Sequence, residues 1–366
     1  MKMVKNMIKS KICIITTRNI MDAPCLDKYR KIITDPFDIV YWDRSGRNEE
    51  CGANGYYKFS AQMPVNISAY QKLKNYVRYF RFVKHHLKTH KYEKIIVFPT
   101  QAAWLISGKL VKDYKRNYIF DIRDYAGENN PLKGFLTKRI VKNAGLCSLT
   151  STAYKSFLPK GEYVISHNIQ KIAPELISSY RNSEKKQSDV ITFSFVGTVR
   201  FIEQQKKFID AFKNDKRFHI NYIGRGSEQL KEYCDKNNIT NVSLVGEFKR
   251  EDLPLFYANT NAAINVYGNN DPYLDYALSN KLYSSAMMGM PILVSPKTYM
   301  EEIVSKYNIG YAVDYDNKDL KENLYNWFMN LDFEKLYKSC DSFISDVMEE
   351  EAIYYEKVKR FLNEEP

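Results

Sequence analysis

The sequence has no long apolar run and no patterned cysteines. Its longest apolar candidate, Ile95 to Ile106, is interrupted by Pro-Thr-Gln at 99–101, so it falls short of the ~20 apolar residues that a transmembrane helix needs. The basic start leads into only a short apolar run, which predicts a first strand and not a signal peptide. The six cysteines show neither CxxC nor Cys/His spacing. Their scatter argues against a zinc module and a small disulfide scaffold, and favours free thiols in a reducing cytoplasm.

Charge is distributed unevenly along the chain. The 366 residues carry a net charge of +12. Met1–Lys185 has 33 Lys and Arg against 15 Asp and Glu, whereas the remainder has 22 against 28. The polar stretch Tyr180–Asp189 has the composition of a linker. We therefore predict two main domains, at 1–185 and 186–345, followed by a helix at 346–366 that packs on its own domain or crosses back to the first.

Short β-branched runs alternate with amphipathic stretches in both halves. This alternation is typical of βαβ units, so each half is predicted to be a doubly wound α/β domain with a parallel sheet. Ligands of such sheets bind at the carboxyl ends of the strands. The predicted strands are Ile12–Thr16, Ile39–Tyr41, Ile95–Phe98, Tyr118–Asp121, Leu146–Leu149, Tyr163–Ile165, Thr192–Val196, Ile220–Ile223, Val242–Val245, Ala262–Val266, Pro291–Val294 and Gly310–Val313.

The first strand end of the second half carries groups that suit phosphate. Gly197 and Thr198 follow the predicted strand, and Arg200 and Lys206 come shortly after them. Glycine lets the backbone approach a ligand closely, and the two cations can bind phosphate oxygens. The alternative interpretation is a plain strand-to-helix turn whose cations are solvated.

A second candidate lies at a predicted helix start. Ser279 is a residue type preferred at N-caps, and the helix is predicted from Asn280 to about Met288, ending at Gly289. The N-terminus of a helix attracts anions. Lys281 in the first turn opposes the helix dipole, which a phosphate opposite it would offset. The alternative is a surface lysine tolerated in an amphipathic helix.

These segments resemble the donor domain of GT-B glycosyltransferases, especially the bacterial family 4, group 1 type that builds capsular and exopolysaccharide repeat units. The resemblance covers about residues 190–330. It implies a GT-B architecture of two Rossmann-like domains facing a cleft. Besides Arg200 and Lys206, the stretches that carry it are Ile223–Gly226 (IGRG), Val245–Ala258 (VGEFKREDLPLFYA) and Ser279–Pro291.

The resemblance also implies roles for single residues. Arg200 and Lys206 would hold the nucleotide diphosphate, and Phe248 would lie beside the base. The amides of the first helical turn would face the diphosphate. The implied donor-binding set is Gly197, Thr198, Arg200, Lys206, Phe248, Ser279, Asn280, Lys281, Leu282 and Ser284.

One departure from the family pattern concerns its acids. Many retaining members carry two glutamates, and the matching positions here are Tyr276 and Ser284. Ser284 could still bond a ribose, but the acid that orients the donor sugar is missing.

Two aspartates in the first half are candidates for a catalytic carboxylate. Asp124, with Arg123, resembles an RD stretch at the cleft of several capsule glycosyltransferases, and Asp22 lies in the loop after the first strand. Such a carboxylate could deprotonate an acceptor hydroxyl or stabilise a cationic sugar in the transition state. The alternative for either is an aspartate that caps a helix or an Asx turn.

Two basic amphipathic segments in the first half indicate a membrane surface. Tyr70–Lys94 places cations at helical spacing among aromatic residues, and Pro131–Lys142 repeats the pattern. Helices of this kind can lie on anionic lipid. The alternative is an ordinary solvated helix face packed on the sheet.

The residues and the resemblance together predict a cytoplasmic glycosyltransferase, peripheral to the inner face of the cell membrane. It would move a sugar from a nucleotide-sugar donor, taken to be a UDP-sugar, to a lipid-linked glycan or polysaccharide in capsule or exopolysaccharide biosynthesis. No metal or other cofactor is expected. The rival prediction, motivated by the missing acids, is a non-catalytic GT-B-like scaffold in a polysaccharide assembly complex. Nucleic acid is not expected as a partner, because no reading motif is present.

Overall fold

The computed structural model describes residues 10–47, 49–64, 66–182, 190–249 and 252–364. The chain forms two units, one of residues up to His167 together with those from Glu349 on, the other Asn168–Met348. The predicted boundary at 185, and residues 183–189 of the predicted linker Tyr180–Asp189, lie outside the described residues. The first two residues of that linker, Tyr180 and Arg181, instead end the helix Pro174–Arg181.

The first unit is built on a parallel sheet. Its strands are β1 (Ile12–Thr16), β2 (Phe37–Asp43), β3 (Gly55–Ser60), β4 (Lys94–Phe98), β5 (Tyr118–Ile122), β6 (Leu146–Leu149) and β7 (Val164–Ile165). Its helices include α1 (Leu26–Ile32), α2 (Ala69–Thr89), α3 (Thr100–Leu105), α4 (Ser107–Asp113) and α5 (Pro131–Asn143). The strand order is β3-β2-β1-β4-β5-β6-β7, so the carboxyl ends of all these strands share one edge of the sheet.

The end of a long helix completes the core of this first unit. This helix, α14 (Phe333–Asn363), brings Tyr354 and Val358 into full burial beside Tyr29 of α1. Lys28, the neighbour of Tyr29, places its ammonium 2.6 Å from a carboxylate oxygen of Glu351 in the same helix. Residues that lie late in the sequence therefore pack against the first helix of the chain.

The second unit repeats the architecture. Its strands are β8 (Ile191–Val196), β9 (Phe218–Ile223), β10 (Val242–Val245), β11 (Ala262–Asn265), β12 (Ile292–Val294) and β13 (Gly310–Ala312). Its helices are α6 (Pro174–Arg181), α7 (Ile202–Phe212), α8 (Lys231–Lys236), α9 (Leu253–Ala258), α10 (Pro272–Asp275), α11 (Asn280–Met288), α12 (Tyr299–Tyr307) and α13 (Leu320–Met329), with the first part of α14. The parallel order is β10-β9-β8-β11-β12-β13, which reverses direction between β8 and β11, where open α/β sheets bind ligands.

Helices cover both faces of the second sheet. On one face, Phe208 of α7 and Leu324 of α13 pack on Phe193 of β8. On the other face, Tyr283 of α11 and Met300 of α12 form a separate core. The carboxyl edge of this sheet is therefore flanked by α7 on one side and α11 on the other.

The predicted α/β class with two doubly wound parallel sheets is confirmed. The sequence analysis did not predict β3, an edge strand (GYYKFS) in which only Phe59 is buried and every second residue is exposed. A lysine and a glycine in an edge strand do not produce the continuous buried run that marks the central strands. Within the described residues, none of the helices combines the length and apolar character required to cross a bilayer.

Candidate functional site

The loops after β8 and β9 are in close backbone contact at two glycines. Gly197 and Gly224 have φ angles of +123° and +133°. A Cβ atom on Gly224 would lie 2.2 Å from the carbonyl oxygen of Gly197. The Gly197 amide donates to the Ile223 carbonyl at 2.8 Å. Only glycine fits this contact, because any side chain would force the two loops apart.

The predicted helix start after β11 is confirmed. α11 runs from Asn280 to Met288, and the Ser279 hydroxyl accepts a hydrogen bond from the Lys281 amide at 3.2 Å. Gly289 ends the helix with a left-handed φ of +73°. The amides of Ser279 and Asn280 make no hydrogen bond within the described residues, so they remain available to an anion.

Lys281 is held inside this edge of the sheet. Its ammonium donates to the Tyr267 hydroxyl at 2.8 Å and lies 3.9 Å from the centroid of the Phe195 ring. Burial, together with the smaller effect of the positive charge of Arg200, lowers the pKa of Lys281 to about 7. Across the described part of the chain, no carboxylate pairs with this ammonium. A cation in this environment is poised to take an anionic partner.

Arg200 is the second cation here. Its side chain is exposed and forms no ion pair with any described residue. Its effect on the pKa of Lys281 shows that the two charges interact. Two neighbouring cations favour a multiply charged anion between them, and a guanidinium can bind phosphate oxygens in a bidentate manner.

Lys206 has a different environment from the one predicted. Its ammonium lies 2.8 Å from Glu203 one turn earlier in α7, and 5.3 Å from the centroid of the Tyr233 ring. Its charge is thus already compensated within the helix. Arg200 and Lys281 are therefore close enough to interact, whereas Lys206 is paired with Glu203.

The other predicted donor residues divide by burial. Thr198 is exposed, whereas Asn280 and Ser284 are half-buried. Leu282 is fully buried in the core beneath α11, so its side chain packs against the protein interior. Phe248, after β10, makes an edge-to-face contact with Phe256 of α9 at 5.3 Å.

Gln205 positions this edge, and the sequence analysis missed it. Its side chain is wholly buried. Its amide nitrogen donates to the Val266 carbonyl at 3.0 Å, and its oxygen accepts from the Tyr222 hydroxyl at 3.2 Å. These bonds join α7 to the ends of β9 and β11. One glutamine among the polar residues of a helix gives no sequence signal for such a role.

In the first unit, Asp124 meets the loop after β1. Its carboxylate lies 3.1 Å from the Arg18 guanidinium. Burial raises the pKa of Asp124, against the opposing effects of Arg18 and Arg123. Arg123 itself is turned towards Asp121, with 3.5 Å between guanidinium and carboxylate. The two halves of the predicted RD pair therefore have separate partners.

Asp22 is exposed and bound locally. Its carboxylate accepts from the Asn19 side-chain amide at 2.8 Å. The side-chain oxygen Oδ1 of Asn19 accepts in turn from the Arg44 backbone amide at 2.8 Å. These bonds brace the loop after β1 against the loop after β2.

Two buried glutamates near this edge were missed by the sequence analysis. Glu49, after β2, accepts from the Met21 amide at 3.0 Å, and Glu128, after β5, accepts from the Ala126 amide at 2.7 Å. Each has a second carboxylate oxygen with no hydrogen bond in the described residues. Burial raises the pKa of Glu128. The free oxygen of Glu49 lies 3.8 Å from the Arg47 guanidinium. The free oxygen of Glu128, buried at the ligand edge of the sheet, points to a hydroxyl or amine donor on a ligand.

The pKa of Lys281 predicts that diphosphate binding depends on pH. With a pKa of about 7 when the site is empty, Lys281 is mostly neutral at pH 8. An anion bound beside it stabilises the charged form and raises the pKa towards the ordinary value. Binding of uridine diphosphate above pH 7 should therefore take up a proton. Its affinity should fall by up to about tenfold per pH unit as the pH rises.

Calorimetry in buffers of different ionisation enthalpy measures this proton uptake. Lys281→Arg is the matched control, because a guanidinium stays charged over this range. It should bind the diphosphate with less proton uptake and a flatter pH profile. Equal uptake by both proteins would contradict the assignment.

Sequence comparisons find no relatives: no protein-family model matches the chain, and no curated protein matches it. Comparison of structures does find similar proteins. Sucrose-phosphate synthase from Thermosynechococcus elongatus aligns with a TM-score of 0.70 at 12% identity, over 97% of this chain and 99% of that one. HepE from Anabaena in complex with UDP aligns with a TM-score of 0.64 at 13% identity, over 96% and 100%. The lipopolysaccharide outer core galactosyltransferase WaaB aligns with a TM-score of 0.63 at 13% identity, over 96% and 98%. Nearly the whole chain therefore has the GT-B fold.

Proposed function

We propose that this protein is a glycosyltransferase that takes a sugar from a nucleotide diphosphate donor bound to the second unit. The observation that carries the proposal is the pair of interacting cations, Arg200 and Lys281, at the carboxyl edge of a parallel sheet. The GT-B fold supports it. The HepE structures in complex with UDP and with UDP-glucose support a UDP-sugar as the donor.

The arrangement accounts for how a diphosphate is held. Arg200 supplies a planar fork for phosphate oxygens, and Lys281 supplies an ammonium. The unbonded amides of Ser279 and Asn280 add the positive end of the α11 dipole. When the bond between the sugar and the diphosphate breaks, negative charge builds up on the leaving oxygen. Fixed cations and amides stabilise that charge without reorganisation.

The positions of Tyr276 and Ser284 restrict how the donor sugar is oriented. Neither side chain carries a carboxylate, and both are half-buried on the α11 side of the sheet. Ser284 offers a hydroxyl to the ribose. The sugar then depends on neutral hydrogen bonds, which are weaker than bonds to a charged acceptor.

The acceptor belongs to the first unit in this proposal. Asp124 is the catalytic carboxylate, held by Arg18 and partly withdrawn from water. It accepts the proton of the attacking acceptor hydroxyl. A lipid-linked glycan or a polysaccharide in capsule or exopolysaccharide biosynthesis is the proposed acceptor. The structural similarity to WaaB, a lipopolysaccharide outer core galactosyltransferase, supports an envelope glycan.

Removing the donor cations should weaken turnover. Arg200→Ala deletes a charge-assisted bond worth about 1.5–3 kcal/mol, so transfer or hydrolysis of UDP-glucose at low donor concentration should fall by about 10- to 100-fold. Lys206→Ala should have a smaller effect, since Glu203 already pairs with that charge. The matched control is Lys213→Ala, because Lys213 pairs with Asp210 in the same geometry at the other end of α7. Unchanged turnover in both Arg200→Ala and Lys206→Ala would contradict the donor site.

Loss of the proposed base should act on catalysis and not on donor binding. Asp124→Asn keeps the shape of the side chain but cannot take a proton, so kcat should fall by about 10²- to 10⁴-fold while the calorimetric Kd for UDP stays unchanged. Asp22→Asn is the comparison variant. If Asp22→Asn, and not Asp124→Asn, loses turnover, the base is Asp22 and the assignment of Asp124 is wrong.

The exposed apolar residues of the first unit support a membrane contact. Tyr70 and Leu73 in the first turns of α2 are 76% and 65% exposed, and Leu132 and Phe135 in the first turns of α5 are 68% and 61% exposed. Both helices follow parallel strands, so both begin at the carboxyl edge of the sheet. Exposed cations flank them at Lys72, Lys74, Lys133, Lys138 and Arg139. We propose that this edge lies on an anionic membrane at the inner face of the cell membrane.

The rest of α2 does not join that surface. Tyr79, which the sequence analysis grouped with the membrane aromatics, is fully buried and stacks on Trp42 at 5.3 Å. Its hydroxyl donates to the Thr16 carbonyl at 2.7 Å. For this face of the helix, the alternative interpretation of packing on the sheet is the correct one.

Flotation with lipid vesicles measures the membrane contact. Leu73→Ser combined with Phe135→Ser should lower the partition coefficient onto anionic vesicles by at least about 100-fold, because each side chain loses ~1.5–3 kcal/mol of burial. Leu255→Ser, at an exposed leucine of the second unit, should leave flotation unchanged. Equal flotation with neutral and anionic vesicles would contradict the electrostatic part of the proposal.

The missing acids favour one rival function, a non-catalytic scaffold in a polysaccharide assembly complex. It differs from the leading proposal at the donor site. A scaffold would show no heat of binding with any of a panel of nucleotide sugars, whereas the leading proposal requires binding that Arg200→Ala weakens.

A further inference from the structure

The second unit contains a cavity that the donor-site residues do not line. It has a volume of about 560 Å³ and lies where the loops after β11, β12 and β13 meet α7. Its volume falls within the ~300–1,000 Å³ of small-molecule sites. The residues that matter for its chemistry are Gln204, Lys207, Lys297, Asp314, Tyr315 and Asp316.

The walls of the cavity are fixed by hydrogen bonds and close packing. The Ser295 hydroxyl accepts from the amides of Tyr267 and Gly268 at 3.0 and 2.9 Å, which ties the loop after β12 to the loop after β11. The Asn269 side-chain amide donates to the Pro296 carbonyl at 2.8 Å. A Cβ on Gly268 would lie 2.9 Å from the Gln204 side chain, so α7 packs directly on this loop. The cavity is therefore a formed feature of the fold.

Several polar side chains at the cavity have no partner in the described residues. They include the Gln204 amide, the ammonium groups of Lys207 and Lys297, and the Tyr315 hydroxyl. Asp210, which also lines the cavity, is by contrast engaged with Lys213 and with the Tyr233 hydroxyl. The free groups include both donors and acceptors, which is the requirement of a ligand rich in hydroxyls.

Charged side chains of both signs line the cavity. Its lining includes two lysines, Lys207 and Lys297, and three aspartates, Asp210, Asp314 and Asp316. A phosphate would meet three carboxylates, and a cation would meet two ammonium groups, so either ion would be repelled by part of the wall. A neutral ligand meets neither penalty and can bond both kinds of group.

We propose that this cavity binds a neutral saccharide. The Tyr315 side chain is 36% exposed at the cavity, and an aromatic ring offers a flat apolar face to the C–H groups of a sugar ring. The amide, ammonium and carboxylate groups around it then bond the sugar hydroxyls. The site goes beyond the proposed transfer reaction, because none of Arg200, Lys206, Ser279 and Lys281 lines it.

Saturation-transfer NMR on the full chain tests this proposal. The probes are methyl α-glucopyranoside, methyl α-galactopyranoside and maltotriose, each with and without saturating UDP. At least one neutral probe should receive saturation from the protein, and UDP should not displace it. Tyr315→Ala should reduce the transfer at least fivefold, and Tyr315→Phe should retain most of it because the ring remains. Tyr70→Ala, at an exposed tyrosine of the first unit, is the matched control and should bind as the wild type does.

A second variant guards against a folding defect. Lys207→Ala changes an exposed side chain without a partner, so it should keep the thermal unfolding temperature and still weaken saccharide binding. Arg200→Ala should weaken UDP binding and leave saccharide binding intact, which separates failure of this proposal from failure of the donor site. The proposal is overturned if no neutral probe is bound, if UDP displaces the probe, or if Tyr315→Ala and Lys207→Ala both bind normally. Stronger binding of glucuronate or inorganic phosphate than of the neutral glucoside also overturns it.

Discussion

A lysine ammonium without a carboxylate partner in the described residues is the feature on which the proposed donor chemistry depends. Lys281 lies against an aromatic ring and a tyrosine hydroxyl, with a second cation nearby. A buried charge is costly unless it is paired, and the depressed pKa of Lys281 shows that the empty site lowers this cost by releasing the proton. The site can therefore exist in two states of low energy, as a neutral amine when empty and as an ion pair when a diphosphate is present.

The precision of that site comes from backbone contacts and not from charge. Gly224 lets its strand end approach Gly197 to a distance that no side chain at position 224 permits. Gln205 then fixes α7 to the ends of β9 and β11. Because these bonds are buried, removing one partner would leave an unsatisfied polar group. The backbone that carries the cations is therefore held rigidly. Electrostatic stabilisation of a developing charge requires such preorganisation.

Sequence patterns predicted most of this fold because the central strands are buried on both faces and so form continuous apolar runs. They failed at β3, an edge strand that needs no such run. The cap at Ser279 and the turn at Gly197 were predictable because each depends on local backbone chemistry. The pairing of Lys206 was not, since a lysine three residues after Glu203 is equally consistent with a ligand and with a helical ion pair. Glu49 and Glu128 were missed because burial of a carboxylate is decided by distant segments.

The path of the polypeptide determines the order in which the two units can complete their folding during translation. Tyr354 and Val358 belong to the core of the first unit, yet they are translated after the whole of the second unit. Domains that are contiguous in sequence can fold as they emerge from the ribosome. Here the core of the first unit stays incomplete, with the apolar side of α1 exposed, until the end of α14 has been translated. By then the second unit already has its residues. Chaperone dependence of the nascent chain should therefore concentrate in its amino-terminal half.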